Sequence, residues 1–159
     1  MRKFLRKIGR DERGASIIEM AMVTPVFGGL LIGMVDISRA YSAKLQLEQS
    51  AYRAIEKVQQ YQASESTYTT LKSEAGSAAR AAGFTSVADS DVTLDFWLEC
   101  NGARQANYDT VCPTGQVYAR WVTVDIPATF TPMFTSRRWP GANANGTFTL
   151  HGRAGLRTQ

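Results

Sequence analysis

The chain has 159 residues, 44% of them apolar and 20% charged, with two cysteines, one histidine and a formal net charge of +4. That length holds one small domain and excludes the two-domain frame of a typical cofactor-dependent enzyme. Six of the 18 basic residues (Arg2, Lys3, Arg6, Lys7, Arg10, Arg13) and two of the 14 acidic ones (Asp11, Glu12) fall in the first thirteen positions, so the rest of the chain is neutral and has no surplus charge for a nucleic-acid groove.

After this basic tip, Ile17 to Val35 reads IIEMAMVTPVFGGLLIGMV, with Glu19 its one charged residue. As a helix at about 1.5 Å per residue, the run matches the roughly 30 Å of bilayer hydrocarbon. Only Arg39 and Lys44 supply positive charge shortly after it, so the positive-inside rule places the N-terminus in the cytoplasm and the remainder across the membrane. A secretory signal peptide would have a shorter apolar centre, no acid within it and a small-x-small cleavage site, and no twin-arginine pair precedes the run.

Beyond the span, Asp36 and Arg39 stand at i,i+3 and Lys44 and Glu48 at i,i+4, which continues the helix. Tyr41, Leu45, Tyr52, Ile55 and Val58 form an expected apolar stripe running to about Tyr61, before Ser64, Ser66 and Thr67 break the pattern. Pro25 should kink or open this helix, its freed backbone groups satisfied by Thr24 or by neighbours. Gly29 and Gly33 make a G-x-x-x-G face suited to close helix packing, though glycine is also common in membrane helices.

Leu71 to Ala82 predicts a second, short helix closed by Gly83. Val92–Glu99, Val117–Ile126 and Thr147–Leu156 alternate as strands, with Pro127 and Pro132 confining the end of the second to an edge or terminus. The fold class is therefore α+β: a long N-terminal helix, membrane-spanning in its first half, packed on a small antiparallel sheet with one short extra helix. Cys100 and Cys112 lack the companions a zinc site needs, so in an exported domain they read as a disulfide closing a polar loop, either a stapled hairpin or a contact surface.

Glu19 is costly at a membrane edge and asks for a partner. Five residues before it stands Gly14, in the order RDERG ASIIEM. A charged leader, a glycine, four small or apolar residues, a glutamate and an apolar helix resemble the processing site of type IV prepilins. That resemblance implies cleavage between Gly14 and Ala15 by a prepilin peptidase, which makes Glu19 the fifth mature residue and pairs it with the new Ala15 amine. A glycine at the cut leaves an extended backbone open to the protease. Flp-type major pilins tend to carry an aromatic after the glutamate, where this chain has Met20.

The stretch GASIIEMAMVTPVFGGLLIGMVDISRAY, with Pro25 six residues after the glutamate and Asp36-x-x-Arg39-Ala40-Tyr41 at its end, is similar to the N-terminal signature of TadE-like pseudopilins. The likeness covers Gly14 to about Tyr61 and implies a minor pseudopilin of a Tad (Flp, type IVc) pilus system. Implied partners are the peptidase, the Flp major pilin, a TadE or TadF counterpart, the inner-membrane assembly platform and membrane lipid. The expected organisation is a leader at 1–14, a transmembrane helix at 15–38, its continuation at 39–62 and an exported head at 63–159.

No enzyme is expected. His151 has no Ser/His/Asp arrangement or G-x-S-x-G elbow near it, and the glycines at 141, 146, 152 and 155 form no phosphate loop. Asp89, Asp91 and Asp95, the last two expected on one face of a strand, give at most a weak calcium contact. No cofactor or metal is implied. Trp97, Trp121 and Trp139 read as core or strand-pair anchors. The competing reading is a single-span, signal-anchored exported binding module with an uncleaved leader.

Overall fold

A computed structural model describes residues 12–57, 70–135 and 137–158. The chain divides into two compact units, Met1–Arg39 and Ala40–Gln159, and helix α1 (Glu12–Glu56) contributes to both. The expected extension of this helix to Tyr61 lies, past Lys57, outside the described residues. In the first unit the helix passes Pro25 without a break. The Thr24 hydroxyl donates to Met20 O at 2.7 Å. The carbonyl that Pro25 releases is that of Ala21, so Thr24 does not make the repair expected of it.

The second unit carries α2 (Leu71–Ala81) and four strands: β1 (Thr93–Cys100), β2 (Ala103–Arg104), β3 (Tyr118–Phe130) and β4 (Phe148–Arg157). They pair antiparallel in the order β2-β1-β3-β4. Alternation along β3 sends Val122, Val124, Ile126 and Ala128 to one face, where they meet Ala154 of β4, Leu71, Ala75 and Ala79 of α2, and α1. This is the α+β arrangement the sequence predicts, with strand boundaries close to the expected ones.

The face that α1 buries differs from the expected stripe. Of the expected stripe Ile55 is buried, but Tyr41, Leu45 and Tyr52 are exposed, and Leu47, Ser50, Ala51 and Ala54 are buried in their place; Val58 lies outside the described residues. Small side chains win because the helix lies close on the sheet. A Cβ built on Gly152 of β4 would overlap the backbone carbonyl carbon of Leu47, so bulky aromatics have no room on this side.

Pro127 lies within β3, near its C-terminal end, and of the two expected placements, edge or terminus, it takes the edge. It is tolerated because β1 has already run out: the last β1–β3 pair is Thr93 with Asp125, so at Pro127 only β4 is alongside. The short helix ends as predicted. Gly83 takes φ +103, and the amides of Phe84 and Gly83 donate to Ala79 O and Arg80 O, both at 3.0 Å, in a Schellman cap.

β2 was not among the expected strands. Asn101 (φ 48) and Gly102 (φ 78) form a two-residue turn that folds Ala103 back onto Cys100. Cys100 and Cys112 are bonded, with their Cα atoms 5.7 Å apart. The loop between them is polar yet holds a core residue: Tyr108 is buried in a T-shaped contact with Phe96, ring centroids 5.5 Å apart, with the Arg120 guanidinium over its ring at 5.6 Å.

Candidate processing and assembly site

The segment that carries the cleavage motif is helical backbone from Glu12 onward, so Gly14 and Ala15 lie in the first turn and not in extended chain. Ala15 and Glu19 are four positions apart on one helix. The Glu19 side chain is exposed.

From Ser16 onward the helix is long and apolar enough to cross a membrane, and none of its apolar window is buried among the described residues. Ile17, Met22, Phe27, Leu30 and Met34 are each more than half exposed. A core helix of a water-soluble domain would bury these side chains, each of which gains about 1.5–3 kcal/mol on leaving water. Added Cβ atoms at Gly29 or Gly33 would meet no described atom within 4 Å, so the face they form is open to another helix. Beyond the apolar run, the expected ion pairs are present: Arg39 with Asp36 at 3.2 Å and Lys44 with Glu48 at 3.8 Å.

In the head, the sheet face opposite the core holds a polar and aromatic array. Trp97 and Trp121 are directly paired across β1 and β3 and stack with centroids 6.1 Å apart and planes 15° apart. Both indole N–H groups donate to Glu99, at 2.8 and 3.2 Å. Arg104 covers Trp97 at 4.8 Å while donating to both oxygens of Asp95, at 2.7 and 3.3 Å. Trp97 and Trp121 are thus the strand-pair anchors expected of them. Trp139 is neither core nor strand anchor: it is 53% exposed in the β3–β4 connection.

The three aspartates also separate. Asp89 pairs with Arg80 at 2.8 Å, Asp91 precedes β1 and accepts from the Ala88 amide at 2.9 Å, and only Asp95 is on the strand. Nothing gathers them around a common point. His151 was expected to stand alone, but the β3–β4 register brings it to Asp125, Nδ1 to Oδ1 at 2.9 Å, and Arg153 binds the other Asp125 oxygen at 3.0 Å. Spacing along the chain, 26 positions, hides this pair.

The family model described as TadE-like protein matches residues 14–55, the stretch from the candidate cleavage glycine through the helix that packs on the sheet. Over that stretch, about a quarter of the chain, the sequence is similar to TadE-like proteins. No curated protein and no solved structure matches the chain.

Proposed function

We propose that this TadE-like chain is a minor pseudopilin of a Tad (Flp, type IVc) pilus system, processed by a prepilin peptidase between Gly14 and Ala15. The observation that carries the reading is a coincidence in one segment: the Gly14-to-Glu19 motif opens a matched stretch whose apolar helix finds no cover among the described residues. The span then sits in the inner membrane with the basic leader in the cytoplasm and the head outside. Removal of the leader creates an α-amine at Ala15, and Glu19, one turn along, offsets it in the same chain or in a neighbouring subunit.

Function in this reading is noncovalent and needs no catalytic residue. The subunit helps to initiate, prime or cap filament assembly by packing its helix against the Flp major pilin and a TadE or TadF counterpart on the inner-membrane platform. The open Gly29 and Gly33 face is where such a helix fits closely. A Glu19→Ala variant tests the arrangement: it should remain in the membrane fraction at normal levels and fail to support piliation. Normal piliation by that variant removes the carboxylate from the mechanism. An uncleaved chain whose function survives replacement of the span by an unrelated anchor would favour the signal-anchored binding module instead.

A further inference from the structure

β4 is an outer strand of the sheet, paired with β3 on one side and with no strand on the other among the described residues. The Thr158 amide donates to Arg120 O at 2.8 Å, just beyond the last β3–β4 pair, so from that point hydrogen-bonded and open pairs alternate back along the ladder. In this phase Phe148, Leu150, Gly152, Ala154 and Leu156 turn their amides and carbonyls to β3. Pro127 falls opposite His151 in an open pair, where the ladder asks for no N–H. The main chain of Thr149, His151, Arg153 and Gly155 therefore points to the free edge, and none of it is bonded among the described residues.

A free edge of 10 residues accepts a further strand unless proline, a bulge or charged side chains blunt it. β4 has no proline, and its register with β3 runs unbroken from Trp121–Arg157 to Phe130–Phe148. Its charged side chains are drawn back over the sheet and do not cross the edge. Arg153 Nε and His151 Nδ1 both bind Asp125 of β3, at 3.0 and 2.9 Å, and Arg157 donates to Tyr118 O of β3 at 3.2 Å. The strand is also its own complement. When two copies of β4 pair antiparallel about Arg153, Leu150 lies opposite Leu156 of the second copy and Gly152 opposite Ala154, all on the core face. On the other face His151 meets Gly155, which offers room for the ring, and each Arg153 brings to the axis the Asp125 carboxylate that it binds. A slip of two residues either way keeps the faces but sets His151 against Arg153 or Arg157 of the second copy and parts the leucines, so one register stands out.

We propose that β4 pairs with β4 of a second copy of this chain across a two-fold axis at Arg153, joining two heads in one continuous antiparallel sheet. The test uses the full chain in detergent micelles. On mild oxidation Arg153→Cys, which meets its own counterpart at the axis, should form an interchain disulfide at least roughly tenfold faster than Thr149→Cys, whose counterpart lies far beyond bridging distance in this register. In the wild-type chain, hydrogen exchange at the amides of His151, Arg153 and Gly155 should slow as protein concentration rises. Gly155→Pro removes one outward-facing donor and leaves the β3 ladder intact, so it should abolish that dependence while the head stays folded. The wild-type exchange decides the matter if Arg153→Cys disturbs the Asp125 site. Equal cross-linking of the two cysteine variants, the mark of association through the apolar helix alone, overturns the proposal. Fast exchange at every concentration overturns it as well. So does slow exchange at every concentration without the Arg153→Cys disulfide, which would mean that another part of the same chain covers the edge.

Discussion

Gly152 of β4 lies against the backbone of Leu47 in α1, so closely that one added methyl group would overlap the Leu47 carbonyl carbon. Backbone cannot swing aside as a flexible side chain can, so helix and strand would have to separate. Gly152→Ala should therefore destabilise the head by about 1–3 kcal/mol, the range for overpacked cores. Gly155→Ala is the control, since its nearest neighbour is the Thr123 methyl at 3.3 Å. Urea unfolding checks both: the midpoint should fall clearly for Gly152→Ala, with little change in slope, and much less for Gly155→Ala.

The disulfide between Cys100 and Cys112 closes a loop across a sequence separation of 12. Cys100→Ser/Cys112→Ser should cost about 3 kcal/mol in the loop-entropy model. Reductant should bring the wild-type protein to the same unfolding midpoint as the double variant. Equal stability of oxidised wild type and double variant would show that the loop is already ordered without the bond, for instance by Tyr108 in the core.

Glu99 is the shared acceptor of two stacked indoles. Glu99→Leu leaves both donors without their acceptor, at a cost of roughly 1–3 kcal/mol if water cannot reach them. The near-ultraviolet circular dichroism of the Trp97–Trp121 pair should weaken, while Trp121→Phe should remove the same signal directly. A Glu99→Leu spectrum identical to wild type would mean that cross-strand packing alone holds the pair.

Alternation and punctuation made the sheet legible from sequence. β1, β3 and β4 read as period-two runs, Gly83 marked the helix stop, and the two cysteines found each other by elimination of a metal site. Other features were hidden for physical reasons. The buried stripe of α1 is Leu47, Ser50, Ala51, Ala54 and Ile55, because Gly152 brings the helix close to the sheet; spacing of large apolar residues finds Ile55 but otherwise picks the exposed Tyr41, Leu45 and Tyr52. The His151–Asp125 pair depends on strand register, which no local spacing encodes. Asn101-Gly102 was a usable signal for the β1–β2 turn. On the candidate site, motif residues from Gly14 to Gly33 could be named from sequence, whereas the free edge of β4 needed a strand order that only the fold supplies.

Substitutions on the open glycine face separate folding from assembly. Added side chains at Gly29 and Gly33 meet no described atom within 4 Å, so Gly29→Leu/Gly33→Leu should leave the unfolding midpoint of the head unchanged. In cells the same variant should lose cross-links to partner subunits and support little or no piliation, because a wide side chain blocks close helix approach. Wild-type cross-linking would move the packing surface to another face of α1.

Cleavage between Gly14 and Ala15 is tested most directly by the mass of the mature N-terminal peptide. Intact-protein and peptide mass spectrometry of the chain from cells with the prepilin peptidase should show an N-terminus at Ala15. Cells lacking that peptidase should retain the uncleaved form, with the leader's basic residues still attached. An N-terminus anywhere else in peptidase-containing cells, or cleavage at Ala15 that persists without the peptidase, contradicts the pseudopilin assignment.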